Sequence, residues 1–172
     1  MSPGEQFALW SVRVSMVCYA AALALRLMRR SNSAARWCWT VGVVLMAAHI
    51  VAVFGVYHHW SHAEALAHTA RRTADLTGWN WSGGLYFNYA FLALWASDAL
   101  WWWLRPASYL RRLLWVKALI QGYLAFIAVN ATIVFAEGAV RWTSAAILLV
   151  LLLLGLRAFY IHRYASYDKA SV

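Results

Sequence analysis

The chain has 172 residues, 64% of them hydrophobic and only 12% charged, with fifteen Lys and Arg against six Asp and Glu and a formal net charge of +9. Soluble domains carry about 25% charged residues, so this composition, at a mean hydropathy of +0.57, excludes an ordinary water-soluble fold. The cations do not gather into one groove-sized patch, which argues against nucleic acid as a partner and for the lipid bilayer.

Apolar runs long enough to cross a bilayer cover Phe7–Met28, Trp37–Trp60, Gly84–Leu104, Leu113–Ala136 and Trp142–Tyr160. They predict an all-α integral membrane protein, a five-span helical bundle forming a single membrane domain over residues 1–172. Glu5 precedes the first run and no basic segment does, so that run reads as a retained anchor and not as a cleaved signal peptide. Cys18 and Cys38, both in or beside apolar runs, do not suit a disulfide framework.

Basic residues alternate with the connections. Arg26, Arg29, Arg30 and Arg36 flank the first, Arg105, Arg111, Arg112 and Lys117 the third, and Arg157, Arg163 and Lys169 follow the last run. The positive-inside rule then places the N-terminus outside and the C-terminus in the cytoplasm of a cell (inner) membrane, with Arg71, Arg72 and Arg141 as a smaller outer set.

The second connection is the only long one. Ser61-His62-Ala63-Glu64 has the spacing of a capping box and Gly78 that of a C-terminal stop, so an extra helix is expected over His62–Thr77, lying at the outer membrane interface. Its polar face, Glu64, His68, Arg71, Arg72 and Asp75, would be solvated, with Arg71 paired to Asp75.

Tryptophans collect at the ends of the apolar runs, among them Trp10, Trp37, Trp39, Trp60, Trp102 and Trp142, and are expected to be interfacial anchors. Ala90, Ala93, Ala96 and Ala99 in the third run, with Ala118, Gly122 and Ala125 in the fourth, are expected to let helices approach closely.

Five of the six histidines, His49, His58, His59, His62 and His68, fall within twenty residues. His58 and His62 are four apart and His59 and His62 three apart, spacings at which a helix presents two imidazoles to one ion. Glu137 ends the fourth run on the same expected side, so the expected metal ligands are His58, His59, His62 and Glu137. This donor set suits iron, copper, manganese or zinc. Arg13, Asn88 and Asn130 would complete an outward polar cavity, and His49, Gln121 and Asp98 would continue a proton path inward. Two plainer roles compete: Arg13 and Glu137 as an ion pair, and Asp98 as an interhelical tie. His49 lies about 180° from His58 on a helical wheel and should not share its ion. Haem ranks low because no second axial ligand stands at the depth of His49.

The sequence lacks a phosphate-binding Gly-rich loop, a nucleophile elbow, Cys-x-x-Cys and His-Glu-x-x-His. The expected function is therefore metal-dependent redox or hydrolytic chemistry at an outward site on an apolar or lipid-like substrate. The alternatives are a non-enzymatic subunit of a larger membrane complex, a homo-oligomer included, and a proton or metal-ion conductor.

Overall fold

The computed structural model describes residues 1–168, with side chains described through residue 161, so the expectations for Arg163 and Lys169 lie outside the described side chains. The elements are α1 (Pro3–Leu27), α2 (Asn32–His58), α3 (His62–Thr77), α4 (Gly84–Leu104), α5 (Pro106–Leu110), α6 (Leu114–Val129), a π-helical turn (Asn130–Val134) and α7 (Gly138–Asp168). The described residues contain no β-strand. Four helices are long and apolar enough to cross a membrane: Pro3–Leu27, Asn32–His58, Leu114–Val134 and Gly138–Ile161. The protein is a helical membrane protein. The fifth expected span, α4, is outside that set because its Trp, Tyr, Asn and Asp residues dilute an otherwise apolar 21-residue helix.

Local chemistry sets the boundaries. Ser2 and Glu5 form a reciprocal capping box that starts α1 well before the apolar run, satisfying orphan amides at its first turn. Ser31 caps α2, and Ser61 caps α3 by accepting from the Glu64 amide. Gly78 ends α3 at φ 75°, a conformation that costs glycine little. Between α2 and α3, His59 and Trp60 both take positive φ, 47° and 63°, which is unfavourable for residues bearing a Cβ.

α1 and α2 form an antiparallel hairpin in register from Gly4 beside Val56 to Tyr19 against Trp39. The contact works because Ala8, Ser11, Ser15 and Ala22 present a buried stripe of small side chains to α2. Ser15 Oγ donates to the Gly42 carbonyl at 2.7 Å, a bond that fixes the register inside hydrocarbon. α4 packs on α2, α6 on α4, and α7 on α1 and the π turn. The alanine repeat of α4 does not form a continuous packing track: Ala99 is buried while Ala90 and Ala93 are exposed. Steps of three fall short of a full turn, so nine residues carry the track to about the opposite side of the helix.

The core is aromatic. Trp39 and Trp95 are fully buried, in contact with each other and with Tyr19, and Phe91 adds an edge contact. Trp39 and Trp102 are thus core residues and not interfacial anchors, whereas Trp10, Trp37, Trp60 and Trp142 are exposed. A Cβ on Gly42 would lie 2.7 Å from the Trp95 ring, which is enclosed and cannot yield. Gly42→Val is therefore expected to destabilise by about 1–3 kcal/mol or more. Gly122→Ala, with nothing within 4 Å of the new atom, should be stabilising by about 0.5–1 kcal/mol. Thermal unfolding of both variants in detergent checks the contrast, and equal midpoints would contradict it.

Candidate functional site

At the C-terminal end of α2 the chain turns back sharply, and α3 runs against α2 and α4. This brings His68, one and a half turns into α3, beside His58: their ring centroids are 5.4 Å apart with planes at 54°. His58 is buried at 7% exposure and meets Phe54 edge-on. His62 stacks on Phe54 and on Tyr89, and its Nδ1 is 3.3 Å from the Tyr89 hydroxyl. Two imidazoles, His58 and the exposed His68, thus face each other, while His62 is held apart on Phe54 and Tyr89.

The four expected metal ligands do not converge. His59, at the left-handed joint, points outward with its side chain 80% exposed and lies 3.6 Å from Glu64, a pairing worth little in water. Glu64 thereby turns away from the reciprocal half of its capping box. Glu137 is exposed and forms no ion pair among the described residues. Among those residues no three His, Cys, Asp or Glu side chains are grouped so as to hold a metal ion. The physical reason is the break in helical register after His58, which separates His58, His59 and His62 into three directions. The expected Arg71–Asp75 and Arg13–Glu137 ion pairs are likewise not formed. Arg13 instead lies over the Trp10 ring at 5.2 Å.

Of the expected polar-cavity residues, His49, His58 and Asn88 line one cavity of about 190 Å³ between α1, α2, α4 and the end of α6, together with Tyr89. The helical wheel sets His49 and His58 on opposite faces, yet both line this cavity. A rise of about 13 Å along α2 keeps them from sharing one ion. His49 Nδ1 donates to the Ala8 carbonyl at 2.8 Å, which fixes the tautomer and leaves Nε2 without a protein partner among the described residues. Asn130 is turned back on its own helix, Nδ2 donating to the Phe126 carbonyl at 2.8 Å. The π turn, which no sequence feature announced, leaves carbonyls that are taken by arginines: Arg141 bonds Val134 and Ala136, and Arg72 bonds Phe135.

Asp98 and Gln121 lie elsewhere, toward the other membrane face. Asp98 is 2% exposed, paired to the Arg112 guanidinium through Oδ1, while Oδ2 accepts from Trp39 Nε1 and from the Tyr109 hydroxyl, each at 3.0 Å. Arg112 also stacks over Tyr109 at 3.9 Å, and Arg26 covers Trp102. Both polar atoms of the Gln121 amide are buried without a partner. Sequence reading identified Asp98 but missed Arg112 and Tyr109 as its partners, because the short α5 that folds them back carries no periodic signal. Burial pushes the Tyr109 phenol up to about 12, with Asp98 adding to the shift and Arg26 opposing it. A phenol raised from about 10 contributes stability that is complete below pH 10 and lost as the pH climbs toward 12. Tyr109→Phe should therefore reduce the fall in unfolding midpoint across that window, and an unchanged pH profile would contradict the assignment.

No protein-family model matches this chain, and no curated protein or solved structure matches it. The class rests on the helices and the site on its geometry.

Proposed function

We propose that this is a five-span protein of the cell (inner) membrane, N-terminus outside and C-terminus cytoplasmic, whose outer imidazole pair His58–His68 binds a transition metal. Its substrate is apolar or lipid-like and reaches the pair through the cavity that runs from His49 to His58. The observation that carries this reading is the buried His58 ring with the His68 ring set against it. Two imidazoles bound to one ion at about 2.0–2.1 Å in tetrahedral geometry have ring centroids roughly 5 Å apart, close to the spacing between these two rings.

Supporting α4 as the fifth span, its 21 residues extend about 31 Å, the thickness of a hydrocarbon core, and it packs between α2 and α6. Supporting the orientation, Arg72 and Arg141, two of the three cations that weigh against it, are engaged by carbonyls at the end of the π turn. The side of α3 that meets the bundle carries Ala65 and Thr69, and its other side is exposed, as an interfacial helix requires.

A two-imidazole set suits copper, zinc or iron better than manganese and leaves coordination positions for water or oxygen, the chemistry that would act on the substrate. Metal analysis of the protein purified from native-type membranes is expected to give one ion per chain, reduced several-fold or more in His58→Ala. Metal-free wild type after supplementation with each of these ions would overturn the proposal.

A further inference from the structure

A second cavity, about 570 Å³, lies between α1, the end of α6 with the π turn, and α7. Its chemistry is graded along the membrane normal. Arg13, Thr132, Thr143 and Ser144 line the outer part, and Leu148 and Leu152 line the inner part. Its size is within the range of about 300–1,000 Å³ typical of small-molecule sites. Arg13 supplies the unexplained element: a cation about 9 Å into the apolar run of a membrane-crossing helix, with no carboxylate in ion-pair distance among the described residues and only Trp10 beneath it. Charged side chains at such depth normally pair or face a polar path, because leaving them unpaired in hydrocarbon is costly. The Thr132 hydroxyl is already engaged by the Ala128 carbonyl, whereas Thr143 and Ser144 have no side-chain hydrogen bond among the described residues.

We infer that this cleft binds one single-chain anionic amphiphile from the outer leaflet, its carboxylate on Arg13 and the Thr143 and Ser144 hydroxyls and its alkyl chain along Leu148 and Leu152. One polar end and one apolar channel fit a single chain, and the lone cation selects the sign of the head group. A carboxylate accepts two guanidinium hydrogen bonds in parallel, which a neutral or cationic head cannot do. The inference does not rest on the metal reading, since none of its residues belongs to the imidazole cluster.

Equilibrium binding of a spin-labelled C16 carboxylate to the full-length protein in detergent micelles tests it, with matched C16 alcohol and C16 trimethylammonium probes. Saturable binding of one carboxylate per chain is expected, weakened about tenfold or more in Arg13→Gln, a change equivalent to one charge-assisted contact. The alcohol should bind Arg13→Gln as it binds wild type. Leu148→Trp, which fills the inner part, should weaken carboxylate and alcohol alike. His68→Ala should leave carboxylate binding intact, which separates failure here from failure of the metal reading. Equal binding of all three head groups, no saturable binding, or a cleft closed by a second copy of the chain in a stable dimer would each overturn the inference.

Discussion

Asp98→Ala is expected to be among the most damaging single substitutions in this protein, costing about 3–5 kcal/mol and lowering the unfolding midpoint accordingly. The loss is larger than that of an ordinary ion pair because of what remains. The Arg112 side chain is 1% exposed, and two of its guanidinium nitrogens, Nε and Nη2, already have no hydrogen-bond partner among the described residues. Without Asp98 its charge stays buried and uncompensated, and the Trp39 and Tyr109 donors lose their acceptor. Replacing both charged groups by apolar residues of similar volume, Asp98→Leu with Arg112→Met, should recover much of the loss, since a buried pair is often no better than a packed hydrophobic one. A double variant as unstable as the sum of the two single ones would contradict this view of the site as a coupled clamp. The clamp ties α2 and α4 to the α5 segment, so its failure should loosen that end of the bundle while leaving His58 and His68 at the opposite end in place.

How much of the fold is legible in the sequence follows from the physics of each element. Long apolar runs and end caps are local signals, and α3 appears with the bounds that Ser61 and Gly78 imply. Side-chain partnerships between helices are not local. His68 is exposed, as its place on a polar face implies, but the reversal at His59 and Trp60 also sets its ring beside His58, which no local signal shows. Spacing rules assume continuous helix, so the HxxxH reading of His58 and His62 fails at the point where two successive residues take positive φ. Asp98 is conspicuous as a carboxylate within an apolar run, but its partner Arg112 looks like one more cytoplasmic cation until α5 folds it inward. The tryptophans show the same limit: composition cannot separate Trp39, enclosed by Tyr19 and Trp95, from Trp37 two residues earlier, which is exposed.

The joint between α2 and α3 is strained, with positive φ at both His59 and Trp60. Left-handed φ at a residue with a Cβ costs about 1–2 kcal/mol, and such strain is commonly stored where geometry at a site demands it. His59 pays that cost while contributing no ring to the cluster, so its backbone conformation is the part that matters, and glycine there preserves it. His59→Gly is accordingly a control that keeps the turn and discards the imidazole.

These residues divide the two possible ligand sets. If spacing alone governed the site, His59 and Glu137 would be ligands and His68 would not. The proposed His58–His68 pair makes the opposite assignment. The decisive measurement is metal stoichiometry on purified, folded His68→Ala, His59→Gly and Glu137→Ala proteins beside wild type. His68→Ala is expected to lose the metal several-fold or more while the other two retain the wild-type content; metal retained in His68→Ala but lost in Glu137→Ala would overturn the His58–His68 pair.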